Sequence, residues 1–194
     1  MPITYTNHKG ITYYLCRGTT KTGKPRYTFA REPKGEPLEK IPDGWEIRES
    51  VNGVISLAKK RPQQILPEEV STVEAAVQRH PKAHNYRVSV KPDRIEIYER
   101  VGADPDDLVS ELEKIGLLAP RTTRVRAILE RRVQYTPVMC FILEDEAQRI
   151  FAAERMCYRS SVDGWLNLYR YGRIDRLAQE LIPTLGTEAF YELV

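Results

Sequence analysis

The stretch ITYYLCRGTTKTGKPRYTFARE, Ile11 to Glu32, decides the fold of the N-terminal part of the chain. Its first part, Ile11 to Gly18, is rich in β-branched and aromatic residues, which favour strands. The glycine and proline of TKTGKP, Thr20 to Pro25, supply turn geometry, and the strand pattern resumes at Arg26. The stretch therefore predicts a β-hairpin.

A second hairpin is predicted in WEIRESVNGVISLAKK, Trp45 to Lys60. Asn52 and Gly53 lie between two strand-like runs, and this pair is the preferred centre of a type I′ turn because both residues tolerate positive φ. The run before it, Pro33 to Gly44, holds three prolines and two glycines and is expected to be irregular. We therefore predict a β-rich basic subdomain over residues 1-61, built on an N-terminal double β-hairpin.

The remaining residues, 62-194, show the pattern of an α+β domain. The valines of PEEVSTVEAAVQRH, Pro67 to His80, recur at helical spacing. The alternation in NYRVSVKPDRIEIYE, Asn85 to Glu99, predicts a hairpin with its turn at KPD. A second helix is predicted in DPDDLVSELEKIGLL, with Asp104 as its N-cap and Gly116 as its C-cap.

The C-terminal half predicts a β-meander with helices after it. Two strands are expected in TTRVRAILERRVQY, Thr122 to Tyr135, and in PVMCFIL, which follows it. The segment Glu144-Gln148 is either a hairpin turn or the start of a helix, and we favour the turn. RYGRIDRLAQELIP, Arg170 to Pro183, and TEAFYELV, from Thr187, predict helices. The whole order indicates an α+β fold with mostly antiparallel strands, in which an α-ββ-α segment precedes the meander.

Three cysteines, Cys16, Cys140 and Cys157, stand beside apolar or aromatic residues and form no CxxC pair. This usage is typical of buried free thiols in a reducing compartment. The N-terminal segment MPITYTNHKG lacks the apolar core of a signal peptide, and no apolar run approaches the length of a membrane span. We therefore predict a cytoplasmic protein with no membrane partner.

The chain contains none of the common motifs of catalysis or metal binding. His80 and His84 are four residues apart, but Pro81 between them breaks the helix that would align them. Nucleophile motifs such as GxSxG are absent, and so are the phosphate-binding GxxxxGK[ST] and GxGxxG loops. Pro25 stands where the first of these loops needs Ser or Thr. The sequence therefore predicts no catalytic residue, metal or cofactor, and it leaves enzymatic activity open while favouring none.

Positive charge is concentrated in residues 1-34, which hold seven bases and one acid, whereas the whole chain has a net charge of +3. Because side chains alternate along a strand, Arg26 should point away from Tyr27 and Phe29 and join the lysines of the turn. Such a cluster would bind phosphate without reading base sequence. The predicted nucleic-acid-binding residues are Arg17, Lys21, Lys24, Arg26, Arg31, Arg124 and Arg126, the last two on one face of a predicted strand.

A second interpretation is that these charges only keep the edges of a small sheet from aggregating. The chain would then be an adaptor for an unknown protein partner, and Trp45, beside an acidic loop, would be its candidate contact. We favour this protein-interaction module, and we keep DNA or RNA binding through backbone contacts as the alternative.

The run YYLCRGTTKTGKPRYTFAREPKGEPLEKIPDGWEI, Tyr13 to Ile47, resembles the opening of a family of small uncharacterised bacterial proteins. These proteins share paired aromatic residues, then TKTGKPRY, then a segment that ends in GWEI or GYEI. The stretch ERMCYRSSVDGW and the later LGTEAFYEL are similar to the end of some of them. The resemblance implies a bacterial, cytosolic setting and no particular activity.

Overall fold

The computed structural model describes residues 1–115, 122–159 and 162–193. The chain divides into two compact units, Met1–Arg61, here called unit 1, and Pro62–Val194, here called unit 2. Both units are built on antiparallel strands, and the described helices all lie in unit 2. The predicted α+β class is therefore confirmed.

Unit 1 consists of strands. They are β1 (Thr4–Thr6), β2 (Thr12–Thr19), β3 (Pro25–Ala30), β4 (Glu36–Pro37), β5 (Trp45–Glu49) and β6 (Ile55–Lys59). The central strand, β2, pairs with β1, β3 and β4, and β5 pairs with β6 in a separate ribbon. The two predicted hairpins are therefore β2–β3 and β5–β6.

The turn between β5 and β6 differs from the predicted type I′ turn. Of its Asn-Gly pair only Gly53 has positive φ, at 76°. The Gly53 amide donates to the carbonyl of Ser50 over 2.9 Å, and the Ser50 amide donates to the carbonyl of Val54 over 2.9 Å. A longer loop that uses one left-handed residue therefore replaces the two-residue turn. The side chain of Asn7 fixes this loop, because its Nδ2 donates to the Gly53 carbonyl over 2.7 Å.

The proline-rich loop between β3 and β5 is bonded to the sheet of unit 1. The Leu38 amide donates to the carbonyl of Leu15 over 2.9 Å, and the Ile3 amide donates to the carbonyl of Leu38 over 2.7 Å. Gly35 has a φ of +94°, and a Cβ at this position would lie 2.6 Å from the Arg17 carbonyl oxygen. The close approach of the loop to β2 therefore requires glycine at this position.

We expect Gly35→Ala to destabilise unit 1 by about 3 kcal/mol, since the methyl group meets rigid backbone as well as an unfavourable φ. Gly23→Ala is the matched control, because Gly23 has a φ of +79° but open space around its Cβ position. That variant should lose only about 1 kcal/mol. Hydrogen exchange at the β2 amides measures both effects, and equal losses in the two variants would contradict the close contact.

Unit 2 is a five-stranded antiparallel sheet with helices. Its strands are β7 (Tyr86–Val90), β8 (Arg94–Val101), β9 (Gln134–Asp145), β10 (Ile150–Arg159) and β11 (Val162–Gly172). Its described helices are α1 (Pro67–Gln78), α2 (Pro105–Lys114), α3 (Thr122–Arg132), α4 (Ile174–Leu181) and α5 (Glu188–Glu192), with short 3-10 turns at Ala83–Asn85 and Ile182–Thr184. The strands pair in sequence order, β11-β10-β9-β8-β7, as the predicted meander requires.

The core of unit 2 lies between one face of this sheet and helices α1 and α4. Phe141 of β9 and Phe151 of β10 are fully buried there, together with Val73 of α1 and Leu177 of α4. The 3.6-residue spacing of the apolar positions explains why both helices were predictable from the sequence.

Helix α2 begins as predicted, because the Asp104 carboxylate accepts the Asp106 amide over 2.8 Å. The predicted C-cap, Gly116, lies outside the described residues. Helix α3 corrects a prediction, since the sequence indicated a strand from Thr122 onward. The segment packs on α2 as a helix and joins neither edge strand of the described sheet, β7 or β11. Its alanine, leucine, glutamate and arginines are also good helix formers.

The segment after β9 is a hairpin turn, as we favoured, and not the start of a helix. Strand β9 ends at Asp145, whose Oδ1 accepts the Gln148 amide over 2.8 Å, and β10 begins at Ile150. Arg149 closes the turn with a φ of 54°. The next helix starts later than predicted, at Ile174, because Arg170 still belongs to β11.

Candidate nucleic-acid interface

The turn between β2 and β3 holds its two lysines in a fixed backbone frame. The Thr20 amide donates to the carbonyl of Lys24 over 2.8 Å, and the Gly23 amide donates to the carbonyl of Thr20 over 2.9 Å. The Thr20 hydroxyl also accepts the Lys24 amide over 3.1 Å. We call Lys21, Lys24 and Arg26 the hairpin tip, since Arg26 pairs with Gly18 one step from the turn.

Residues 1-34 hold seven basic side chains. Six of them are exposed and, within the described ranges, make no ion pair: Arg17, Lys21, Lys24, Arg26, Arg31 and Lys34. Elsewhere in unit 1, Arg48 contacts Glu46 over 2.6 Å and Lys40 contacts Asp43 over 3.3 Å. The positive charge of the tip is therefore left for an outside partner or for water.

The two faces of the hairpin differ in chemistry. Residues directly opposite each other in an antiparallel pair share a face. Leu15 faces Phe29 and Arg17 faces Tyr27, so Arg17 lies on the aromatic face and does not flank Arg26. The sequence alternation placed Arg26 away from Tyr27 and Phe29, but the position of Arg17 depends on the register across the turn.

Trp45 packs inside unit 1. Its ring lies 6.0 Å from that of Tyr27, with the planes tilted by 59°, and both residues are half-buried. Phe29 on the same hairpin face is half-buried as well. The aromatic rings of this face are therefore partly covered by packing. The exposed groups of the hairpin that could bind a ligand are the cations of the tip.

Arg124 and Arg126 lie on helix α3 of unit 2, and both are exposed. Residues two apart on a helix point about 200° away from each other, so the predicted shared face is wrong. Arg126 also contacts Asp106 of α2, with 3.2 Å between Nη2 and Oδ1. Of these two arginines, only Arg124 makes no ion pair among the described residues.

A row of titratable side chains crosses three strands of unit 2, and no sequence pattern predicted it. Glu96, Cys140 and Glu154 stand opposite one another on β8, β9 and β10. Burial raises the pKa of the Cys140 thiol well above its usual range, so this thiol stays protonated. Burial, aided by a 2.9 Å hydrogen bond that Tyr98 donates to Glu96, likewise raises the pKa of the Tyr98 phenol. Because the Cys140 thiol and the Tyr98 phenol both stay protonated, we interpret this row as a structural hydrogen-bond network.

Among the described residues, no three His, Cys, Asp or Glu side chains come close enough together to hold a metal ion. His8 is held by Glu49, which accepts its backbone amide over 2.8 Å. Its Nδ1 contacts Glu49, which also accepts a 3.1 Å hydrogen bond from the Tyr5 hydroxyl. His80 is buried between the Lys82 amide and the Leu185 carbonyl.

A cleft of about 200 Å³ in unit 2 opens beside the starts of α1 and α4. Its charged wall contains Glu69 and Arg149, which bind each other through two hydrogen bonds of 2.8 and 2.6 Å. Because these two groups satisfy each other, neither is free to bind the charge of a ligand. The sequence could not reveal this pair, since its members are 80 residues apart.

Among the described residues, no helix has both the length and the apolar character needed to cross a membrane. Comparisons with protein-family models, with curated proteins and with solved structures return no match to this chain.

Proposed function

We propose that this chain is a non-catalytic binding protein that holds the phosphate backbone of nucleic acid at the hairpin tip. The observation that carries the proposal is that Lys21, Lys24 and Arg26 are exposed and, in the described chain, lack any ion pair. Cations that neutralise phosphates release condensed counterions, which favours binding.

The proposed contact is independent of base sequence. Lysine donates to phosphate as a point charge, and arginine can donate two parallel hydrogen bonds. On the opposite face, the Tyr27 ring packs against Trp45 and is poorly placed to read bases. Binding at the tip would therefore position the protein on a duplex or a single strand without selecting a site.

A bacterial cytoplasm is part of this proposal. The three cysteines are all free, which fits a reducing compartment. The resemblance to small bacterial proteins supports the same setting.

A protein partner is the second candidate, and it was the one that the sequence favoured. The same unpaired cations would attract an acidic protein surface, and half-buried Trp45 keeps part of its ring accessible. A partner recovered from native lysate that survives nuclease treatment, and that is lost when Trp45 is replaced by alanine, would support this candidate.

Fluorescence anisotropy with two unrelated labelled duplexes of about 20 base pairs tests the proposed function. We expect equal affinities for both sequences, and a fall of roughly fortyfold between about 50 and 200 mM salt if three phosphates are contacted. Absence of binding at low salt, or a preference for one sequence that salt does not weaken, would overturn the proposal.

A further inference from the structure

Strand β11 lies at the edge of the unit 2 sheet and carries two strongly exposed aromatic rings. Tyr169 is 71% exposed and Tyr171 is 51% exposed, and Arg170 stands between them. Aromatic rings of this size are normally used in packing, so two of them in solvent on one short segment call for an explanation.

The backbone at this place is irregular. The register with β10 moves from Ala153 opposite Arg170 to Glu154 opposite Asn167, so Leu168 and Tyr169 have no partner on β10. Leu168 is buried in the core, and Tyr169 adopts a left-handed φ of 53°. Glycine or asparagine would adopt this conformation at a lower cost than tyrosine. The bulge that buries Leu168 therefore does not by itself require a tyrosine at position 169.

Asn167 stabilises the exposed segment. Its Oδ1 accepts the Tyr169 amide over 2.7 Å and also lies 3.4 Å from the Tyr171 hydroxyl. One short side chain therefore holds the backbone of Tyr169 and contacts the hydroxyl of Tyr171. Strained residues held in this manner are typical of functional sites.

The charge around the rings is slightly positive, because three arginines face two acids, Asp175 and Glu180. The segment from Tyr169 to Arg176 contains three arginines and one acid, and all three arginines are exposed. Arg170 contacts Glu180 over 3.4 Å, and Arg173 contacts Asp175 over 3.7 Å, both at exposed positions. Arg176 makes no ion pair among the described residues. Exposed rings interleaved with arginines match the chemistry of a nucleic-acid strand with unpaired bases.

We propose that this edge segment, Tyr169 to Arg176, binds single-stranded nucleic acid by stacking bases on Tyr169 and Tyr171 while Arg176 contacts phosphate. A duplex is a poorer ligand, because its bases already stack on one another. This site is separate from the hairpin tip and extends the proposed function to unpaired strands.

Binding of a labelled single strand and of the matching duplex to full-length variants tests the inference. In Tyr169→Gly combined with Tyr171→Ser, we expect single-strand affinity to fall by about tenfold or more and duplex affinity to stay unchanged. Glycine suits the left-handed φ, so this variant should keep its fold. Tyr169→Phe combined with Tyr171→Phe keeps both rings and should bind like the wild type.

The outcomes separate this inference from the proposed function. Duplex binding that depends on the hairpin tip, together with unchanged single-strand binding in the ring-deleted variant, would overturn only the stacking site. Ring-dependent single-strand binding without any duplex binding would support the stacking site and overturn the tip. Ring-dependent binding of a proline-rich peptide in place of either oligonucleotide would overturn the stacking site in favour of a peptide partner.

Discussion

Replacement of Arg149 by methionine should lower the free energy of unfolding of unit 2 by about 3–5 kcal/mol, because it leaves a buried carboxylate without its cation. Glu69 retains only 7% exposure of its side chain, and Arg149 is its bidentate partner. Arg149 also donates to the carbonyl of Gln64 over 3.0 Å. One side chain at the β9–β10 turn therefore fixes the start of helix α1.

Glu69 has a second role that raises the cost of the change. Its Oε2 accepts the Leu66 amide over 2.8 Å, which caps helix α1 from the third helical position. A carboxylate that loses Arg149 must either stay charged in a poorly solvated place or turn toward water and give up this cap. Both routes destabilise the contact between the helix and the hairpin turn.

Arg173→Met is the matched control, since Arg173 lines the same cleft but its side chain is 75% exposed. We expect that control to change stability by less than about 0.5 kcal/mol. Circular dichroism at the helical band during urea unfolding reports unit 2, where the described helices lie. An Arg149→Met variant as stable as the control would show that the ion pair contributes little.

Reversal of the hairpin tip, Lys21→Glu with Lys24→Glu and Arg26→Glu, should reduce affinity for duplex DNA by about a hundredfold or more. Each change removes a phosphate contact and adds repulsion. The fold should survive, because all three side chains are exposed and, in the described chain, none has an ion pair to lose.

The matched control for this reversal is Lys59→Glu with Lys60→Glu and Arg61→Glu. It changes net charge by the same amount at three other exposed positions of unit 1. A general charge effect would weaken both variants alike, whereas a contact at the tip affects only the first. Equal affinities in the two variants would remove the tip as the binding site, and melting temperatures check that both remain folded.

Much of the fold could be predicted because periodicity and turn residues act locally. The valines of α1, the alternation in β7–β8 and the capping aspartate of α2 each encode their element within a few residues. The prediction of a strand at α3 was wrong because its state is not encoded locally. Its short apolar pattern fits a helix or a strand, and its packing on α2, which no local pattern encodes, decides between them.

The candidate sites also divide into features that the local sequence encodes and features that depend on distant contacts. The exposure of Lys21 and Lys24 follows from a glycine-containing turn, so the sequence could predict it. The face on which Arg17 lies depends on the register across that turn. The shared face of Arg124 and Arg126 was predicted for a strand, but these residues form helix α3. The bulge that exposes Tyr169 arises from pairing with β10, which no pattern within β11 encodes.

The salt dependence of duplex binding by the wild type and by the reversed tip tests the central claim most directly. A protein that contacts phosphate through Lys21, Lys24 and Arg26 should show a slope of log affinity against log salt that is steeper by about 2.7 than that of the reversed variant. Identical slopes in the two proteins, with binding still measurable, would contradict a phosphate contact at the hairpin tip.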